Sequence, residues 1–354
     1  MLKNVYKYTL SENVLSYLGA LFKGIDLGFN EYSRMANAIQ EQSDFYIQNP
    51  ELETQWNLKS TQVAQVSYYF PLNYLRNLRV MDQFSKLVPE HFLQSFDNYL
   101  ELGSGLGPSF LSLQDKFETA HFRKILFIES SNWPSQMHQK VFQGSSPKQQ
   151  VSWSEKQASI ENINLKKTIA ICSYSLTEFN KIPQWLFECG CVIIIEPSTR
   201  EDGQRLIKWR SEFLKKNFYV VAPCLHQNMC SLDYEKSKDW CHDRLHIESP
   251  DYLKKIEQYL NFKNSTFTLS YVVIVADDLS LNLKNNYTQK ARVIGDYLDE
   301  KGKSRQLICR SDEREFLTVL KRSNIELEYQ RGDIIDIEPH WRKVGSELRV
   351  DIKK

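Results

Sequence analysis

YLELGSGLGPSFLSL, residues 99–113, is the stretch whose reading decides the fold. Tyr99, Leu100 and Leu102 form a short apolar run that predicts a buried strand. Gly103, Gly105 and Gly107 make the turn after it, and Pro108 stands where a first helical position tolerates a missing N–H. Glycines two apart let the main chain approach a ligand with no Cβ in the way, and the helix N-terminus that follows offers unpaired N–H donors. The spacing is G-x-G-x-G, without the G-x-G-x-x-G order that seats a pyrophosphate. Glu101, two residues before the first glycine, suits a ligand carrying an amino group better than a phosphate. The reading is therefore an S-adenosylmethionine turn, with plain strand-to-helix packing as its alternative.

Downstream, strands and helices alternate, which predicts a parallel α/β sheet from residue 98 onward. KILFIESS, residues 124–131, is a second buried strand; Glu129 at its end, 26 positions after Gly103, is placed to accept from a ribose diol. TIAICSYSLTEF, residues 168–179, is a third strand whose end lies beside the cofactor in a doubly wound sheet. Ser173 is assigned to cofactor binding, and Ser173, Tyr174 and Glu178 to the substrate face. CVIIIEPSTREDG, residues 191–203, is a fourth strand, nearly all β-branched, with Ser198 or Asp202 as cap of the helix after it. That helix, predicted over residues 203–217, carries Arg205, Lys208, Arg210, Lys215 and Lys216 against Glu212, a solvated face or a surface for a phosphate backbone.

Residues 1–95 read as helical, with Val14, Leu18, Leu21 and Phe22 at three and four spacing. SYYFPLNYLRNLRVMDQF, residues 67–84, places three aromatics before Pro71 and then an amphipathic helix with Arg76 and Arg79, either packed on the next domain or serving as a substrate-side lid.

A chain of 354 residues can hold one large or two modest domains. Its formal charge of +1 sets up no global field for nucleic acid, so any basic surface is local. No uninterrupted apolar run approaches the roughly 20 residues of a membrane span, and the first residues lack both a secretory pattern and an Arg-rich, acid-poor leader, which leads to the expectation of a bacterial cytoplasmic protein. Seven cysteines, an odd number, fit a reducing compartment.

VAPCLHQNMCSLDYEKSKDWCHDRLHI, residues 221–247, gathers Cys224, Cys230 and Cys241 with His226, His242 and His246. The spacing fits no C-x2-C zinc ribbon. It suits a loop around an iron–sulfur cluster, with zinc held partly by histidines as the rival. Cys172, Cys189 and Cys191 fall on or beside buried strands as small hydrophobes. Cys309, in a polar neighbourhood, is the best fourth ligand. Beyond the loop, the expectation is a helix over residues 250–261, a strand over 266–275, then short strands at RVIGDYL, SRQLICR, IELEY and DIIDIE around a helix near residues 313–322. Arg305, Arg310, Lys321, Arg322 and Arg331 form a candidate basic edge.

The order of YYFPLN, LELGSGLG, CSYSLTEF, IIIEPSTREDG, APCxHxxxC and DWCH resembles the ribosomal small-subunit methyltransferase-like family, whose mitochondrial members are called methyltransferase-like protein seventeen and Rsm-twenty-two. The resemblance runs over residues 67–309. It implies a class I (Rossmann-like) S-adenosylmethionine-dependent methyltransferase fold, with Gly103, Gly105, Gly107 and Glu129 at the cofactor, and a 4Fe-4S cluster on Cys224, Cys230, Cys241 and Cys309. It further implies the small ribosomal subunit and its rRNA as partner, with neither membrane nor DNA, in mitochondria if the chain is eukaryotic. The organisation expected is a helical region 1–95, a methyltransferase-like domain 96–280 that includes the loop 221–247, and a β-rich region 281–354. Where the family commonly has C-P-H-D this chain has Cys224, Leu225, His226 and Gln227. Where the family often has Arg-Gly-Thr-Pro it has Glu196, Pro197, Ser198 and Thr199. Neither an Asn-Pro-Pro-Tyr motif nor a cysteine nucleophile marks the acceptor, so two functions are expected: an rRNA methyltransferase, or a non-catalytic RNA-binding assembly factor on the same scaffold.

Overall fold

A computed structural model of the protein describes residues 6–49, 52–143, 147–179, 181–232, 239–261, 266–280, 283, 289–310, 313–323, 325 and 329–350, the side chains of 158 and 178 excepted. In chain order come strand β1 (Tyr6–Lys7) and helices α1 (Glu12–Gly24), α2 (Tyr32–Gln48), α3 (Lys59–Ala64) and α4 (Phe70–Leu87). Then β2 (Asn98–Leu102), α5 (Pro108–Gln114), β3 (Lys124–Ile128), α6 (Asn132–Val141), β4 (Gln150–Ser154), β5 (Thr168–Ser173) and β6 (Cys191–Glu196) alternate. After these come α7 (Arg200–Lys215), β7 (Phe218–Ala222), β8 (Asp243–Glu248), α8 (Asp251–Glu257), β9 (Thr266–Ala276), β10 (Lys290–Val293), β11 (Leu298–Glu300), β12 (Lys303–Cys309), β13 (Arg314–Leu320), β14 (Ile334–Asp336), β15 (Arg342–Val344) and β16 (Glu347–Arg349).

The chain divides into two compact units. The glycine-turn unit is residues 7–194 with 247–265; the cysteine unit is residues 1–6, 195–246 and 266–354. In the glycine-turn unit the strand order is β4-β3-β2-β5-β6. β2 is parallel to β3 and β5, and β3 to β4. This is the 3-2-1-4-5 order of a doubly wound sheet, and it identifies the class I (Rossmann-like) methyltransferase fold. Every residue of β2 and β6 is buried, as strands covered on both faces require. β2 is fixed by an aromatic core: Tyr99 and Phe110 lie edge to face at 4.7 Å, and Phe127 stacks on Trp153 at 5.5 Å.

The helix expected over residues 67–84 is present but starts differently. Gln65–Tyr69 forms one π-helical turn that runs directly into α4, and Pro71, which has no N–H to donate, follows the junction. Leu72, Leu75, Asn77 and Arg79 of α4 are all buried. That is the packed helix of the two alternatives.

In the cysteine unit β9 pairs antiparallel with both β7 and β8. A second sheet runs β14-β10-β12-β13-β16-β15, with β13 parallel to β16 and the other neighbours antiparallel. The order β14-β10-β12-β13-β16 is that of the partly open five-stranded Greek-key barrel. Its core holds Val293, Ile308, Leu317 and Val319.

Three expectations need correction. The helix near residues 313–322 is instead strand β13, paired residue for residue with β12 from Cys309–Arg314 to Lys303–Leu320. Pairing with an adjacent strand outweighs a weak helical pattern. Helix α7 begins at Arg200, three residues early, because Thr199 caps it: its hydroxyl accepts from the Asp202 N–H at 3.1 Å, so neither Ser198 nor Asp202 is the cap. The helix expected over residues 250–261 is α8 alone. The strand expected at IELEY lies largely outside the described residues.

Candidate functional site

The backbone of the glycine turn is left-handed at all three glycines, with φ of 68°, 51° and 80° at Gly103, Gly105 and Gly107. The reasons differ. A Cβ on Gly103 would lie 2.3 Å from the Ser175 Cβ, and one on Gly107 2.4 Å from the His138 ring. Those two glycines make room for protein. A Cβ on Gly105 would meet nothing within 4 Å, so the middle of the turn opens on free space. The turn is strapped to the end of β3: Gly103 and Ser104 N–H donate to the Ile128 carbonyl at 2.8 and 3.1 Å, and Gly105 N–H donates to Glu129 Oε2 at 2.9 Å.

Glu129 accepts a second bond from Ser131 N–H at 2.8 Å through Oε1, and burial raises its carboxyl above the usual range against the pull of these two N–H donors. The acid expected at a ribose diol thus holds the turn in place. Glu101 is almost fully buried and accepts from Tyr99 Oη at 2.6 Å. Burial pushes its carboxyl up to about 7, hydrogen bonds from Tyr99 and Ser109 act in the opposite direction, and the Glu129 charge adds to the rise. His138, beneath Gly107, is driven down to about 3 by burial and stays neutral at physiological pH.

At the end of β5, Ser173 Oγ accepts from Asn77 Nδ2 at 3.0 Å, so α4 holds the strand end that sequence alone assigned to the site. Tyr174 follows with φ of 57°, an uncommon conformation for a bulky residue, and the Arg76 guanidinium lies 5.7 Å from its ring centroid. The Glu178 side chain lies outside the described set. A cleft of about 660 Å³ lined by Arg34, Glu41, Lys59 and Tyr259 contains none of the residues selected from sequence.

In the cysteine unit, Cys230 packs in one apolar cluster with Ile207, Leu232 and Ile294, and Cys241 and Cys309 pack against it. Cys309 thus packs on this apolar cluster while keeping polar neighbours, His226 and Ser231. Its Sγ lies 3.5 Å from His226 Nε2. Burial raises the Cys230 thiol, with Cys224 and Cys241 adding to the rise, and pushes Cys309 up to about 12, with the same two neighbours adding. Each of the four thiols thus stands within electrostatic reach of others in the set. Among the described residues no group of three or more His, Cys, Asp or Glu is at metal-holding distance. Cys172, Cys189 and Cys191 are buried, as expected of small hydrophobes.

The loop is pinned from several sides. Gln204 Nε2 donates to the Leu232 and Asp239 carbonyls at 2.9 and 2.7 Å, Trp240 Nε1 to the Ser198 carbonyl at 2.7 Å, and Ser270 Oγ to the Cys241 carbonyl at 2.9 Å. Gln227, where the family commonly has Asp, bonds both the N–H and the carbonyl of Val220, at 2.7 and 2.9 Å, and so acts as a strand neighbour for β7. Sequence reading missed Arg210. It was grouped with a solvated basic face, yet it is 3% exposed. Its position between Leu206 and Phe213 in the apolar stripe of α7 was the available signal.

Glu101 gives a pH test. The unfolded carboxyl titrates near about 4.3 and the folded one near 7. Between those values the folded chain keeps a proton that the unfolded chain gives up, so stability is full below the lower value and falls as pH rises through the upper. The loss from this group is on the order of 3 kcal/mol from pH 4 to pH 8. Glu101→Gln, uncharged throughout, is expected to lose less stability over that range in urea unfolding. Equal pH slopes for the two proteins would contradict the reading.

No curated protein matches the chain. Among solved structures, the candidate RNA methyltransferase PH1948 of Pyrococcus horikoshii is similar at 13% identity and TM-score 0.32 over 57% of this chain and 83% of its own. YcgJ of Bacillus subtilis is similar at 10% and 0.33 over 57% and 98%. The plantazolicin methyltransferase BpumL, solved with SAH, is similar at 11% and 0.31 over 67% and 99%. At such identities and scores the fold assignment rests on this chain's own strand order. Among the described residues no helix is long and apolar enough to cross a membrane. The family described as mitochondrial small ribosomal subunit Rsm22 matches residues 59–333, and the chain belongs to it.

Proposed function

We propose that this protein is an S-adenosylmethionine-dependent methyltransferase-like protein that works on the small ribosomal subunit, with the subunit's rRNA as its substrate class. The observation that carries the cofactor reading is the middle glycine, whose missing Cβ faces open space while both its neighbours are filled by protein. The family's description supports the small-subunit partner. When bound, the cofactor supplies an electrophilic sulfonium methyl. The chain's own residues then position it. The Gly105 face admits the main-chain side of the ligand, and Glu101 receives its ammonium, giving up the proton that burial otherwise holds there. Glu129 offers its remaining lone pairs to the ribose hydroxyls while its two N–H bonds keep the turn closed. Ser173 and Tyr174, held by Asn77 and Arg76, present the acceptor nucleotide in line. If the chain is eukaryotic, this work takes place in mitochondria.

A second reading, a non-catalytic RNA-binding assembly factor, is favoured by Glu196-Pro197-Ser198-Thr199 from the last residue of β6 onward, where Thr199 is committed to capping α7. The expected result of the deciding experiment is transfer of labelled methyl from the cofactor to small-subunit particles taken from cells lacking the protein. Particles that bind the protein yet stay unlabelled would establish the assembly-factor reading.

The four-cysteine site is proposed to hold a 4Fe-4S cluster on Cys224, Cys230, Cys241 and Cys309, supported by four thiols in one unit and by the cationic residues around them. Such a group cross-links the loop to the start of β8 and the end of β12. Protein purified anaerobically is expected to be brown, and Cys230→Ser to lose iron; colourless protein with stoichiometric zinc would replace the cluster with zinc.

A further inference from the structure

Arg210 is buried at the cysteine site with most of its hydrogen-bonding capacity unused. It lies one helical turn from Ile207, which packs on Cys230. Its Nη2 donates to the His226 carbonyl at 2.9 Å and the guanidinium also reaches the Cys224 sulfur, while among the described residues no oxygen or nitrogen accepts from its Nε or Nη1. No carboxylate pairs with it there, in contrast to Arg292, which is bound by Asp243 with both side chains buried. A guanidinium cannot shed its charge, and leaving one uncompensated in a protein interior is strongly unfavourable. Around it are Cys224, Cys230 and Cys309, close enough to interact with its charge, and the His226 whose carbonyl it holds reaches the Cys309 sulfur. A neutral thiol is a poor acceptor; a metal-bound thiolate is a good one.

We infer that Arg210 is the built-in counter-charge of the four-cysteine site, its Nε and Nη1 reserved for the sulfurs of an anionic metal–thiolate group. The inference rests on the metal reading above but is independent of which metal is bound, since four thiolates outweigh the charge of zinc and of a 4Fe-4S core alike. Arg210 is a positioning residue. It holds the loop through the His226 carbonyl and stabilises the negative charge that the ligands acquire when they lose their protons. Arg292, already neutralised by Asp243, and Arg331, which donates to the His242 and Trp240 carbonyls at 3.1 and 2.9 Å, shape the rest of the shell.

The test compares wild type with Arg210→Gln and Arg210→Lys, using anaerobically purified full-length protein. Metal content is measured first, then the rate of metal loss to a chelator. Partners outside the ligand set typically contribute 10- to 100-fold to metal affinity, so Arg210→Gln is expected to lose metal at least about tenfold faster and Arg210→Lys at an intermediate rate. In iron-loaded protein Arg210→Gln is also expected to lower the midpoint potential, because reduction adds negative charge next to a missing cation; a purely structural role would leave the potential unmoved. If Arg210→Gln fails to accumulate, Arg210→Lys carries the same comparison. Chelation rates and potential equal to wild type would overturn the inference and leave the metal site standing. Metal-free wild type would overturn both.

Discussion

The strap between the glycine turn and the end of β3 is the constraint on which the rest of the glycine-turn unit depends. Three successive main-chain N–H groups of the turn, from Gly103 to Gly105, are satisfied by the Ile128 carbonyl and the Glu129 carboxylate. A turn that would otherwise expose its donors is thereby fixed, at the cost of three left-handed residues that only glycine adopts without strain. With the turn fixed, α5 starts at Pro108, Tyr99 meets Phe110, and Glu101 lies buried near the strand end, where burial raises its carboxyl. Both acids are thus part of the architecture before they are part of a binding site.

The cysteine unit solves a different problem. The described residues of its loop are held by side chains reaching for carbonyls: Gln204, Trp240, Ser270 and Arg331. Gly203 leaves space for the Trp240 ring, 2.6 Å from where its Cβ would stand. Anchors of that kind fix where the thiols lie but leave a buried guanidinium without an anion. Charge balance, more than cysteine spacing, argues that something anionic belongs there.

Much of the fold was legible because buried parallel strands are written as short apolar runs, as in β2, β3, β5 and β6. The parts that were not legible have physical causes. β4, QVSWS, is half-exposed at an edge and carries polar residues, so no apolar run marks it. β7, FYVVA, follows α7 through Asn217 at φ of 61°, with neither glycine nor proline between the two. In β13, Phe316 and Leu317 are neighbours, as are Val319 and Leu320, which mimics helical spacing until pairing with β12 assigns their faces. The glycines, Glu101, Glu129 and the cysteines were found by type and spacing. Asn77 was not, and Arg76 and Arg210 were named only as charges on their helices, because the sequence of an amphipathic helix does not show which polar residue is drawn into the interior.

The central claim, that the open middle of the glycine turn receives S-adenosylmethionine, is tested most directly by calorimetric titration of the cofactor into wild type and Gly105→Arg. The account predicts saturable binding by wild type, with proton release at pH 7 as Glu101 ionises, and no binding by Gly105→Arg, whose side chain fills the open face. No heat of binding from the wild type, or equal affinity in both proteins, would contradict it.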